Sequence, residues 1–110
     1  MSNKILQINY KFKVPRSDFE KATFEQAKPI ANVKGLLWKI WIVNENTQEA
    51  GGIYLFNDES SVKAFLEGNI VAELKKNPVI SDIEAKIFDV MDRHSKVTRG
   101  PVGWTIARIK

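Results

Sequence analysis

The side chains able to do chemistry in this chain are mostly aromatic. It carries three tryptophans, two tyrosines and six phenylalanines, but no cysteine and one histidine, His94. Without cysteine there is no thiol nucleophile, disulfide or thiolate metal ligand. A single histidine excludes a multi-histidine metal centre. What remains is a set of sparse donors among rings: Asn9, Gln7, Trp38, Trp41, Tyr54 and His94. An indole N–H and a phenol O–H in an apolar wall can stabilise an enolate or phenolate oxygen without a metal. The expected catalytic set is Trp38, Tyr54 and Asn9, with His94 moving protons. Tyr10, Trp41, Phe56 and Phe65 are the expected walls of a pocket for a hydrophobic planar molecule. Each aromatic taken singly also reads as core packing, and His94 as a solvated or interface histidine.

Other chemistry finds no support. The chain has no Gly-x-Ser-x-Gly elbow, no Gly-x-Gly-x-x-Gly and no Walker loop. Ser95 beside His94 is not a catalytic pair, because adjacent side chains point apart. Asp58 and Glu59 sit where a helix should start and complement its dipole. No cofactor and no metal are expected.

The elements that must hold these residues follow from periodicity. Lys4 to Phe12 alternates, with Leu6, Ile8, Tyr10 and Phe12 on one side and Ile5, Gln7, Asn9 and Lys11 on the other, so a half-buried strand is predicted. Ser17 and Glu20 have the spacing of a capping box, which starts a helix there. Its stripe is Phe19, Ala22, Thr23, Gln26, Ala27, Ile30 and Val33, and Gly35 closes it. Pro29 lies inside this stripe and predicts a kink near Glu25 to Lys28, or two short helices.

Leu36 to Asn44 reads as a strand apolar on both faces, and Glu49 to Phe56 as its hairpin partner. Gly51-Gly52 within a strand predicts a bulge or a close approach by backbone or ligand. Asn57 or Asp58 caps a second helix carrying Val62, Phe65, Leu66 and Ile70. A second short segment on a new axis follows Gly68-Asn69, and Pro78 stops it. Ile83 to Val90 is the fourth strand, and beyond Met91 the chain reads as polar.

The order βαββαβ predicts an α+β fold with a four-stranded antiparallel sheet and both helices on one face. The other face would be bare and apolar, which implies an interface, and two such faces can cover each other around a two-fold axis. A homodimer is therefore expected, with a hydrophobic small molecule as the other partner. The domain spans residues 1–100, and residues 101–110 form a tail expected to pack on the partner subunit.

The net charge of +4 invites a nucleic-acid reading. From Asp92 onward, however, Arg93, Lys96, Arg99, Arg108 and Lys110 stand against Asp92 alone, so the whole excess lies there and the body is neutral. The third strand opens with Glu49 where an RNA-recognition module has a basic residue. No nucleic acid and no membrane are expected as partners: no apolar run approaches the about 20 residues of a span. The start of the chain lacks a signal-peptide layout, so a cytoplasmic protein is expected.

Gly35-Leu-Leu-Trp-Lys-Ile-Trp, Glu49-Ala-Gly-Gly-Ile-Tyr-Leu-Phe-Asn-Asp-Glu-Ser-Ser and Ala85-Lys-Ile-Phe-Asp-Val resemble the YdhR-like mono-oxygenase family of the dimeric α/β-barrel superfamily. The resemblance covers roughly residues 4–100 and is most specific from Trp38 to Phe65. It implies a ferredoxin-like protomer whose sheet packs on that of its mate. It also implies oxygenation of an aromatic or polyketide-like substrate without metal, flavin or haem, the substrate's own carbanion reacting with oxygen. The proline matching Pro29 favours one kinked helix. Haem-degrading relatives use an asparagine on the first strand, a late tryptophan on the third and a histidine on the second helix. Asn9 matches the first, Phe56 stands at the second, and no histidine stands on the second helix, which argues against haem degradation.

Overall fold

Alternation in β1 (Lys4–Phe12) sets the two sides of the sheet. Leu6, Ile8, Tyr10 and Phe12 are buried under the helices, and Ile5, Gln7, Asn9 and Lys11 face away from them. The computed structural model describes residues 2–103, so the part of the tail from Trp104 to Lys110 lies outside the described residues. β2 (Leu36–Asn44) and β3 (Glu49–Phe56) form the predicted hairpin. Its turn is fixed by Asn44, whose Oδ1 accepts from the backbone N–H groups of Asn46 (3.0 Å) and Thr47 (3.3 Å). β3 pairs with β1, and β4 (Ile80–Asp89) pairs with the other edge of β1, giving the antiparallel order β2-β3-β1-β4. This is the expected α+β, βαββαβ-like architecture.

The first helical region differs from the single kinked helix that the resemblance favoured. It is two helices, α1 (Arg16–Phe24) and α2 (Ala27–Ala31). Pro29 has no N–H for the carbonyl four residues back, that of Glu25, and its ring crowds that carbonyl, so the break falls there. The capping box does not form either. Pro15 holds the cap position, and its carbonyl accepts from the Phe19 N–H at 3.0 Å. Ser17 is thus already inside the first turn, and Glu20 accepts from Arg16 Nε at 3.2 Å.

α3 (Glu59–Leu66) is capped by Asp58, which accepts from Ser61 N–H at 2.8 Å. After Gly68 the chain turns into α4 (Asn69–Lys76), the second short segment expected there. The aromatic core joins sheet and helices: Phe12 and Phe19 stack with centroids 4.4 Å apart, and Phe65 lies 5.2 Å from Tyr54 and 5.6 Å from Phe56.

β4 begins three residues before the predicted Ile83. Asp82 adopts a left-handed backbone (φ 55°), and the register with β1 shifts between Asn9 and Lys11. Ser81 and Ile80 then pair with Lys11 and Phe12. The irregularity falls at Asp82, within the strand rather than before it.

The segment after Met91, read as polar chain, forms α5 (Asp92–Val97) and then folds back on the sheet face opposite the helices. Trp38 Nε1 donates to the Pro101 carbonyl at 2.9 Å, and Asn3 Nδ2 to that of Val102 at 3.2 Å. Val102, Leu37 and Leu55 are buried outside the main core. The face expected to be bare is therefore part-covered by the chain itself. Ile40 (51% exposed) and Phe88 (48% exposed) remain open.

Candidate functional site

Strand parity decides which side chains meet. Ile8 stands opposite Gly52 and Leu6 opposite Tyr54, so Gly52 and Tyr54 share the helix face of the sheet. On the next strand a bulge at Leu37 resets the phase. Lys39 then stands opposite Tyr54 and Trp41 opposite Gly52, both under the helices, whereas Trp38 stands opposite Leu55 on the far side.

Two neighbouring hollows lie between this edge of the sheet and α1–α2. The larger, about 900 Å³, is lined by Ser17, Glu20, Lys21, Thr23, Phe24, Glu25, Ala27 and Trp41. The smaller, about 240 Å³, is lined by Ala27, Ile30 and Ala31 from α2 and by Leu36, Leu37, Trp38, Lys39 and Trp41 from β2. Trp41 and Ala27 belong to both. Trp41 is 38% exposed although it stands on the inner face, being on the edge strand β2.

Lys39 is the polar group of this cleft that the sequence reading missed. Its Nζ lies 3.3 Å from the centroid of the Trp41 ring and 4.6 Å from that of Tyr54. Burial lowers its pKa from 10.5 to about 7. The signal was present: Lys39 and Trp41 are two apart in a strand and must share a face. Gly52 makes room for the lysine, since a Cβ there would stand 2.4 Å from Lys39 Cε. Gly51 serves the backbone instead, for a Cβ there would stand 1.8 Å from the Ile8 carbonyl oxygen. The expected close approach by backbone thus occurs at Gly51, whereas at Gly52 the approaching group is a side chain.

The expected site residues do not all converge. Tyr54 and Trp41 lie on the cleft side of the sheet. Burial keeps the Tyr54 hydroxyl protonated by raising its pKa. Tyr10 is buried beside Phe19, its own pKa raised by burial to about 12. Phe56 and Phe65 fill the core behind Tyr54. Trp38 borders the smaller hollow, but its N–H is committed to Pro101. Asn9 and Gln7 point to the face away from the helices, where Asn9 borders a shallow hollow with Glu84 and Glu49. His94 is exposed on α5. Odd sequence separations put Asn9 and Trp38 opposite Tyr10 and Trp41, so no single cavity collects the whole set.

Among the described residues, no group of three His, Asp or Glu side chains is placed to hold a metal ion. Nor is any described helix long and apolar enough to cross a membrane.

A ferredoxin-like sheet with an aromatic cleft under its helices defines a class of small α+β proteins, and the comparisons narrow it. The chain belongs to the ydhR family, whose model, described as "Putative mono-oxygenase ydhR", matches residues 5–101. No curated protein matches the chain. Among solved structures, it is similar to NE2512, a protein of unknown function from Nitrosomonas europaea (21% identity, 83% of this chain and 91% of that one, TM-score 0.66). It is also similar to SnoaB, a cofactor-independent oxygenase from Streptomyces nogalater (12% identity, 82% and 94%, TM-score 0.66). A third is the ActVA-Orf6 mono-oxygenase of Streptomyces coelicolor in complex with Nanaomycin D (11% identity, 81% and 88%, TM-score 0.61). At these identities the likeness is one of fold.

Proposed function

We propose that this protein is a cofactor-independent mono-oxygenase. In this reading it acts as a homodimer on a planar, hydrophobic aromatic or polyketide-like molecule seated between α1–α2 and β2. The observation that carries the reading is the cleft wall: the part-exposed ring of Trp41 borders both hollows, and the smaller of them is apolar and aromatic apart from Lys39. Family membership supports the oxygenation. In such a reaction the substrate loses a proton and its carbanion reduces dioxygen. One oxygen atom stays on the ring carbon as a new carbonyl and the other leaves as water. The protein orients the ring against Trp41, excludes water and offers the Tyr54 phenol as donor to the developing oxyanion.

Incubation with anthrones and hydroquinones under oxygen tests this. Uptake of one dioxygen per anthrone is expected, with a rate at least tenfold lower for Trp41→Ala and lower for Tyr54→Phe. Uptake no faster than in those variants contradicts it. Saturable binding without uptake would instead make the protein a non-catalytic homodimer that binds or senses a hydrophobic small molecule.

A further inference from the structure

Lys39 is an unusual lysine. Its stem crosses the slot left by Gly52, and its Nζ rests over the rings of Trp41 and Tyr54. Among the described residues it has no ion-pair partner. The elements around it offer little charge. α2 presents Ala27, Ile30 and Ala31 to the hollow, the buried ring of Tyr54 on β3 lies 4.6 Å from Nζ behind it, and Tyr10 lies beyond. Glu20, Lys21 and Glu25 line only the adjoining larger hollow. An amine largely withdrawn from water and given no carboxylate has its pKa lowered to about 7, so a large share of it is unprotonated at physiological pH. It can accept a proton, and once charged it has two ring faces ready to stabilise it. What it lacks is an anion.

We propose that Lys39 is the general base of the cleft and that the molecules it serves are acidic: planar phenols, enols or anthrone-like ketones whose anion becomes the missing counter-ion. The lysine lone pair takes the proton. The substrate O–H or activated C–H bond breaks, an N–H bond forms, and the electron pair stays on the substrate. The product is an ammonium–anion pair inside an aromatic box, where low polarity strengthens the attraction. No oxidant enters this step. In turnover the proton leaves again with the water that oxygenation releases. The inference rests on the cleft being the substrate site but not on turnover occurring.

The test uses 2-naphthol under nitrogen at pH 8, where the free probe is chiefly the neutral phenol and its anion absorbs to longer wavelength. Binding to the wild-type protein should raise the naphtholate share of bound probe at least tenfold over free probe. It should do so with little proton release to a weakly buffered indicator, because Lys39 keeps the proton. Lys39→Met should bind the probe as neutral phenol. Because the chain has no cysteine, Lys39→Cys alkylated with 2-bromoethylamine restores an amine at this position alone, and the naphtholate signal should return. Naphtholate formation equal in Lys39→Met, release of one proton per probe bound, or binding to wild type as neutral phenol each overturns the base assignment and leaves the substrate site standing. Absence of any binding to wild type overturns the site and this inference together.

Discussion

At the scale of single residues, Lys39 and the two glycines beside it make the sharpest predictions. The folded protein holds Lys39 with a pKa near 7 against 10.5 for the free side chain. Between those values the unfolded chain binds more protons than the folded one. The charged amine therefore costs stability below about pH 7, and stability is regained as pH rises from 7 to 10.5, at no more than about 1.4 kcal/mol per pH unit. Lys39→Met should be more stable than wild type at pH 6, and the advantage should shrink above pH 8, as urea unfolding across pH will show. Gly52→Ala should cost less than a backbone clash would, because the sharpest overlap is with the flexible end of Lys39, although the added methyl also stands 3.1 Å from Tyr54 Cε1. The displaced amine should titrate closer to 10.5, readable by NMR of labelled lysine. Gly51→Ala meets the backbone of β1 instead and should cost at least about 3 kcal/mol.

At the scale of elements, much of the fold is legible because the period of the hydrophobic pattern carries it. The buried side of β1, the hairpin bounds of β2 and β3, and the break at Gly68 between α3 and α4 all follow from spacing. What the pattern cannot carry is a change of phase. The bulge at Leu37 and the left-handed Asp82 each shift a register by one residue, and a shift of one exchanges faces. Residue type groups Trp38 with Trp41, although three positions separate them, and gives no reason to single out Lys39 among so many lysines. α5 is illegible for another reason: Asp92–Val97 has no buried residue and hence no stripe. The cap at Asp58 is testable at this scale. Its carboxyl is held below the usual 3.8 chiefly by the Ser61 N–H. The contribution is present above that pH and lost as pH falls below it. Asp58→Ala should lower the melting temperature at pH 7 and make little difference at pH 2.

At the scale of the whole molecule, the sheet has one face closed by its helices and one face closed only in part. Ile40 and Phe88 stay open on the second face while residues 101 and 102 cover its other end. If two such faces meet in the proposed homodimer, Ile40→Glu combined with Phe88→Glu should yield a folded monomer by sedimentation equilibrium at micromolar concentration. A wild-type monomer under the same conditions contradicts that assembly. The cleft itself lies between β2 and α1–α2, on the helix side.

The position of the substrate site against Trp41 is tested most directly by fluorine NMR. With 5-fluorotryptophan incorporated and the resonances assigned through Trp38→Phe and Trp41→Phe, the protein is titrated with 2-naphthol. The Trp41 resonance should move farthest, saturating with the bound fraction. A Trp41 resonance that stays fixed while the probe binds would place the site elsewhere and contradict the account.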